Sequence, residues 1–181
     1  MATRRTTSTD YERSNSIETI EKKRFKKSLF SKLLEAKEDE GSRQKAAQAL
    51  VDDLCKQYKI NSPKVYVTER PRRSSGGGQT YGYYRHGGGV KDSIVIYNTT
   101  AKTGKKVSIK SFADTLLHEF VHHYDTRYLK IETMHTAGFY KRISSLKETL
   151  SNVTIATKTM LRDVTERRIS SLVSKSSLIV G

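Results

Sequence analysis

Two histidines four residues apart, with a glutamate directly after the first, form an HExxH motif in this chain. His118, Glu119 and His122 lie in the stretch LLHEFVHHYD. Residues four apart on an α-helix project from the same face, so two imidazoles at this spacing can bind one Zn²⁺. The helical period turns Glu119 about 100° from His118, beside such a metal instead of on it. There its carboxylate can take a proton from a zinc-bound water and later give it to a leaving amine.

The apolar residues around this pair occupy the opposite side of the predicted helix. With His118 as the reference direction, His122 lies about 40° away, and the apolar side chains fall between roughly 160° and 300°. A buried structural histidine pair is expected inside that apolar arc, and these two lie outside it. The pattern therefore favours a catalytic metal. The apolar set is Ala113, Leu116, Leu117, Phe120, Val121, Tyr124 and Tyr128.

A catalytic zinc needs a third protein ligand and one open coordination position. We predict His135, because the thirteen residues after His122 leave room for the helix to end and the chain to turn back. Asp125 and Glu132 are the alternatives. Asp125 shares the helix face of the histidines, where it can ligate the metal or hydrogen-bond a ligand imidazole.

Three other ring side chains near the motif receive structural interpretations. His123 points about 100° away from His122, toward the margin of the core. His86 lies in a glycine-rich turn, where a surface position is expected and a substrate contact is the alternative. Tyr140 follows the third-ligand region and is interpreted as a core or surface residue, with stabilisation of an oxyanion as the functional alternative.

The chain carries a net charge of +15 with a pI of about 9.9. Such a field attracts polyanions, first nucleic acid and then anionic membrane, unless it is only a solvated surface. Basic groups track phosphates while aromatic rings, here Tyr81, Tyr83 and Tyr84, stack on unpaired bases. The alternative is that the tyrosines fill a half-buried sheet face. The predicted nucleic-acid contacts are Arg70, Arg72, Arg73, Arg85, Lys102, Lys105, Lys106 and Lys110.

The single cysteine, Cys55, excludes an intrachain disulfide and a cysteine-based zinc ribbon. Its apolar surroundings predict a buried thiol, and this cysteine usage fits a reducing setting. The first residues lack an apolar signal stretch, and no apolar run reaches the about 18 residues of a membrane-spanning helix. We therefore expect an intracellular protein, cytoplasmic or in the nucleoid or nucleus, that is neither secreted nor bound to a membrane.

The hydrophobic pattern predicts an α+β domain with two helices, a small three-stranded sheet, the metal helix and a further helix. Two glycine clusters, at residues 76–78 and 87–89, are predicted hairpin loops. Strands are expected at residues 64–68, 79–85 and 93–97. The metal helix is expected to begin at Phe112, after a capping pair formed by Ser111 and Asp114, and to reach about Tyr128.

Four segments follow from this pattern. Residues 1–15 are predicted to be a disordered basic tail, and residues 16–42 a charged N-terminal helix. Residues 43–153 form the predicted metal-binding domain. Residues 154–181 are predicted to be a basic tail or a last helix.

Residues 43–150 resemble the SprT-like family of zinc metallopeptidases. The resemblance rests on the helix before three strands and on GYYRHGG, SIVIYNTT, LLHEFVHHYD and HTAGFYKRI. His135 and Phe139 match that family's third-ligand motif, whereas Thr136 stands where many members have Gly. The resemblance implies a minimal zincin domain of the gluzincin type, with one zinc ion on His118, His122 and His135 and with Glu119 as catalytic base. Spartan-type members of the family cleave proteins crosslinked to DNA and are switched on by DNA.

The sequence therefore predicts a zinc metalloendopeptidase that hydrolyses peptide bonds through a zinc-bound water. Its expected partners are a protein substrate associated with or crosslinked to DNA, and DNA itself, including single strands. One alternative is a zinc peptidase with a target unrelated to DNA. The other is a non-catalytic, zinc-containing nucleic-acid-binding module. Glu119 favours catalysis, because a structural site has no need of a carboxylate at that position.

Overall fold

A computed structural model describes residues 8–70 and 79–151 of the chain. The described elements form an α+β fold, as the hydrophobic pattern predicts. A three-stranded sheet follows the first three helices, and the metal-motif helix follows the sheet. The helices are α1 (Ser8–Ser16), α2 (Lys27–Leu34), α3 (Glu40–Tyr58), α4 (Ile109–Tyr124) and α5, helical over residues 137–151; the strands are β1 (Lys64–Thr68), β2 (Gly82–Arg85) and β3 (Ser93–Tyr97).

The strand order in the sheet is β1-β3-β2. β3 pairs in parallel with β1 and antiparallel with β2. The β2–β3 connection is the predicted hairpin, and its three glycines at 87–89 all have positive φ. The other hairpin prediction is wrong, because β1 and β2 lie at opposite edges with β3 between them. β3, SIVIY, is the most apolar strand and takes the central position, where it is paired on both sides.

The core lies between the sheet and two helices. α3 packs on β1, while α4 packs on β2 and β3. The inward residues of the strands alternate with outward ones, which is the pattern of a sheet covered on one face. The core includes Leu50, Leu54, Val65, Val67, Ile94, Ile96, Phe112, Leu116 and Phe120.

Helix α4 begins one turn earlier than predicted. Its N-cap is Ser108, whose side-chain oxygen accepts a hydrogen bond from the Ser111 amide at 3.2 Å. The predicted partner of Ser111, Asp114, instead forms an ion pair with Lys147 at 2.8 Å. At its C-terminal end, α4 continues into a π-helical turn, Asp125–Leu129, that carries the chain toward the third histidine.

The predictions for the N-terminal region are wrong in two places. Residues 8–15, expected to be disordered, belong to α1. The single helix expected over residues 16–42 is replaced by α2 and by the start of α3, whose N-cap Asp39 accepts the Ser42 amide at 2.7 Å. The predicted tail at residues 154–181 lies outside the described residues. Over the part of the chain that the structure describes, no helix has the length and apolar character needed to cross a membrane.

Candidate metal centre

Three histidine side chains converge at the C-terminal half of α4. His118 and His122 come from successive turns of that helix, and His135 comes from the loop before α5. Their Nε2 atoms lie 3.0 Å apart for His118–His135 and His122–His135, and 3.1 Å apart for His118–His122. Zinc bound tetrahedrally at about 2.0–2.1 Å holds neighbouring nitrogens about 3.3–3.4 Å apart. The trio therefore needs only a few tenths of an ångström of expansion to take the ion.

The donor chemistry of the trio also fits a metal. Three ring nitrogens that face one another at this distance cannot all be paired by hydrogen bonds, because each offers either one proton or one lone pair. A divalent cation between them satisfies three lone pairs at once. Burial lowers the pKa of His118 to about 4 and that of His122 to about 3, the direction that favours the neutral, ligating imidazole.

Neither alternative ligand joins this group. Within residues 8–70 and 79–151, the three histidines are the one cluster of His, Cys, Asp or Glu side chains positioned to share a metal ion. Asp125 is fully buried and Glu132 is exposed on the loop. The structure thus brings together the histidines that the sequence predicts and leaves both carboxylates outside the group.

Phe139 forms the floor under the three imidazoles. Its ring centroid lies 5.1 Å from that of His118, 4.5 Å from His122 and 5.2 Å from His135. Thr136 sets its position, because the threonine hydroxyl accepts a hydrogen bond from the Phe139 amide at 3.1 Å in the first turn of α5. From the first turn of α5, Phe139 therefore contacts all three imidazoles.

The outward nitrogen of His122 is held by a residue that sequence reasoning missed. His122 Nδ1 lies 2.6 Å from Thr133 Oγ1, and that hydroxyl donates to Asp125 Oδ2 at 3.4 Å. Since the hydroxyl proton goes to Asp125, the oxygen accepts the Nδ1 proton of His122 and leaves the Nε2 lone pair free for a metal. The prediction that Asp125 bonds a ligand imidazole holds only indirectly, through Thr133.

Asp125 is in turn fixed by a buried arginine. Arg142 Nη2 lies 2.7 Å from Asp125 Oδ2, and both side chains have no exposed surface. The same guanidinium donates to the carbonyl oxygens of Ser14, at 2.7 Å, and of Ile17. Burial raises the pKa of Asp125, and the hydrogen bond from Arg142 opposes that shift. A chain of contacts thus runs from the N-terminal segment through Arg142, Asp125 and Thr133 to His122.

Glu119 lies beside the histidines and outside their group. Its side chain is 6% exposed, and burial raises its pKa to about 7, against the opposing effect of a hydrogen bond from the Tyr84 amide. Strand β2 passes very close to α4 here. A Cβ atom on Gly82 would lie 2.8 Å from both Thr115 Cγ2 and the Val95 carbonyl oxygen. The glycine is what allows the backbone of β2 to reach the carboxylate, and no local pattern in the sequence signals this approach.

The histidines and Glu119 open into a cleft between β2 and α5. Two cavities, of about 350 and about 480 Å³, share His118, Glu119 and Gly82 in their linings. Tyr140, 52% exposed, lines the larger cavity and stacks on His135 with the ring centroids 6.1 Å apart. The smaller cavity includes His86, whose ring stacks on Tyr84 at 5.0 Å. Both residues are exposed, as the interpretation of surface positions predicts, and both also border the cleft.

His123 has the structural role that its helical position predicts. It is fully buried, and its ring nitrogens contact the Tyr84 hydroxyl at 3.1 Å and the Asn61 carbonyl at 2.9 Å. Asp92 lies 3.3 Å from the same ring and is held by Arg127 through two contacts of 2.5 and 2.6 Å. This network holds the Tyr84 side chain in place, while the amide of the same residue bonds Glu119.

The predicted nucleic-acid contacts are spread over several segments. Arg85 ends β2, Arg70 follows β1, and Lys110 lies in the first turn of α4. The loop between β3 and α4 carries Lys102, Lys105 and Lys106, of which Lys106 pairs with Glu69 at 2.6 Å. Arg72 and Arg73 lie outside the described residues. The described cations thus come from separate elements of the fold.

Comparisons of the chain with protein-family models, with curated proteins and with solved structures found no match. The resemblance to the SprT-like family therefore stands on the motif residues alone.

Proposed function

We propose that this protein is a zinc-dependent endopeptidase of the SprT-like type. The observation that carries the proposal is the placement of Glu119. Its carboxylate lies on the turn between the two helical histidines, outside the ligand trio and buried at the base of the cleft. A zinc ion on the three histidines would supply a Lewis acid that polarises a carbonyl and activates water. Glu119, oriented by the Tyr84 amide, accepts and returns the proton.

The composition of the trio supports a catalytic zinc over a structural one. Structural zinc sites are closed by four protein ligands, whereas catalytic sites use three and keep one position open. In the part of the chain that the structure describes, the trio has no fourth His, Cys, Asp or Glu partner. It faces the cleft, with His135 exposed. This arrangement disfavours the non-catalytic zinc module as the main function.

The shape of the cleft suits an extended polypeptide. β2 is an edge strand of the described sheet, and the Tyr84 amide on its free side already donates to Glu119. An extended chain beside an edge strand can pair with its main-chain groups without regard to sequence. We propose protein substrates for this reason, and proteins associated with DNA as the target class because of the net charge of +15.

The decisive experiment compares wild type with Glu119→Gln. We expect the variant to retain one equivalent of zinc, measured by plasma mass spectrometry, and to lose cleavage by about 10²- to 10⁴-fold. The substrates are an unfolded protein and a basic DNA-binding protein, each with and without single-stranded DNA. Cleavage by Glu119→Gln at the wild-type rate would refute the proposed peptidase mechanism. Glu119-dependent cleavage that ignores DNA would support the peptidase and refute the DNA-associated target class.

A further inference from the structure

The outer face of the sheet, turned away from α3 and α4, carries exposed tyrosines. Val65, Val67, Ile94 and Ile96 point inward and are almost fully buried. On the outward side, Tyr66 is 49% exposed and Tyr83 is 36% exposed. Partly exposed tyrosine rings on one face of a sheet offer flat apolar surfaces on which another ring can stack.

The strand register arranges these side chains in two rows. Val95 pairs with Tyr66 on one side and with Tyr83 on the other. Ser93 pairs in the same way with Lys64 and Arg85. Neighbouring strands lie about 4.8 Å apart, so Tyr66 and Tyr83, on either side of β3, stand about 10 Å from each other. Same-face residues along one strand lie about 7 Å apart, which is the spacing of each tyrosine from the cation on its own strand. Small side chains form the middle of both rows, which leaves a shallow slot between the outer ones.

We propose that this face, defined by Lys64, Tyr66, Tyr83 and Arg85, binds single-stranded nucleic acid. Unpaired bases stack on the two tyrosine rings, and the adjoining phosphates contact the two cations. The fourteen residues of the three strands contain no Asp or Glu, so nothing on the strands repels a phosphate backbone. The site goes beyond the proposed peptidase, because it uses outward side chains of the sheet, although Tyr83 also borders the smaller cavity beside the histidines.

Lys64 also lines a basic cavity at the end of the sheet, next to the C-terminal ends of α3 and of the π-helical turn. The cavity, of about 850 Å³, is lined by Lys59, Lys64, Lys91 and Lys130 and by the paired Arg127 and Asp92. Lys59 and Lys130 cap the C-terminal ends of a helix and of the π-helical turn, where the helix dipole offers about −0.5 charge each. Those partial charges offset about one of the four lysines, and the cavity stays positive. Through Lys64, the cavity offers further cations to the phosphates of a bound nucleic acid.

The same observations argue against a membrane or an acidic peptide as the occupant. Besides tyrosines, the large apolar side chains that are exposed in the described residues are Leu34 and Val90, which form no insertion surface. An acidic peptide would use the cations and leave the paired tyrosines without a role. A single-stranded nucleic acid uses both rows, because its bases stack on the tyrosines and its phosphates contact the cations.

The test is equilibrium binding of the full chain to a fluorescent oligothymidylate of about 16 nucleotides, followed by anisotropy. We expect Tyr66→Ala and Tyr83→Ala each to weaken binding about 5- to 150-fold, and Tyr→Phe at either position to bind like wild type. The plot of log affinity against log salt concentration has a negative slope, and Lys64→Gln and Arg85→Gln should each make it less steep by about 0.7. The controls are Tyr11→Ala, at an exposed tyrosine on α1, and Lys32→Gln on α2.

An abasic strand of the same length separates stacking from charge. We expect it to bind more weakly than oligothymidylate and to ignore the tyrosine substitutions. Wild-type binding by both alanine variants, preference for a duplex, or equal competition by polyglutamate would each overturn the proposal. Binding is measured without cleavage, so failure here leaves the peptidase proposal standing, and failure of the peptidase leaves this site standing.

Discussion

Thr133 illustrates how much of the site depends on single residues outside the metal trio. Its hydroxyl joins His122 to Asp125 and selects the tautomer that presents Nε2 to a metal. The histidines could be predicted from the sequence because four-residue spacing on a helix is a local property. Thr133 could not, because it lies in an irregular segment that approaches His122 only after the chain has turned back.

We expect Thr133→Val to weaken zinc binding about 10- to 100-fold, since the valine leaves the Nδ1 proton of His122 without an acceptor. Competition with a chromogenic chelator measures this affinity directly. Thr133→Ser keeps the hydroxyl and should retain wild-type affinity. Equal affinity of the valine and serine variants would show that the hydroxyl does not support the ligand.

At the scale of elements, the close approach of β2 to α4 determines where Glu119 lies relative to the cleft. Strands 64–68 and 93–97 and the existence of the α4 helix were predictable, because alternation and helical periodicity are local patterns. The parallel pairing of β1 with β3 was not, because it depends on contacts between residues about thirty positions apart. The start of α4 was missed because two serines, Ser108 and Ser111, both suit an N-cap and only the fold selects between them.

Gly82→Ala tests this approach. The added methyl group meets Thr115 and the Val95 carbonyl at 2.8 Å, so β2 has to move away from Glu119. We expect a loss of about 1–3 kcal/mol in the free energy of unfolding, together with a lower kcat. The control is Gly41→Ala on α3, where the new Cβ would contact Asp39 Oδ1 at an ordinary 3.6 Å. If Gly82→Ala and Gly41→Ala have the same free energy of unfolding and the same kcat, the close contact at Gly82 has no influence on the site.

For the molecule as a whole, the N-terminal segment is packed against the elements that carry the histidine trio. Arg142 of α5 binds carbonyl oxygens at Ser14 and Ile17 and the carboxylate of Asp125. Gly138 lies so close to Ser14 and Asn15 that a side chain there would clash with their carbonyl oxygens. The polar, charged composition of residues 1–15 predicted a disordered tail. Composition does not reveal that residues 14 and 15 are held by contacts with α5, which lies more than a hundred positions later in the sequence.

We expect Arg142→Met to cost about 3–5 kcal/mol of unfolding free energy, because it leaves Asp125 buried without its cation. Denaturant unfolding followed by circular dichroism provides the measurement. Lys141→Met removes a neighbouring but exposed pair with Glu18, and should cost less than about 1 kcal/mol. Similar small losses in both variants would mean that the N-terminal segment is not anchored through this arginine.

The position of Tyr83, at both the outer face of the sheet and the border of the cleft, has a consequence for selectivity. If both proposals hold, a nucleic acid bound to Tyr66 and Tyr83 ends beside the cleft, and a protein attached to that nucleic acid would be a tethered substrate. Tethering replaces free diffusion with an effective concentration set by the length of strand between the two points, which reaches about millimolar for short flexible links. A cleft with little preference of its own can then distinguish bound proteins from free ones by proximity alone.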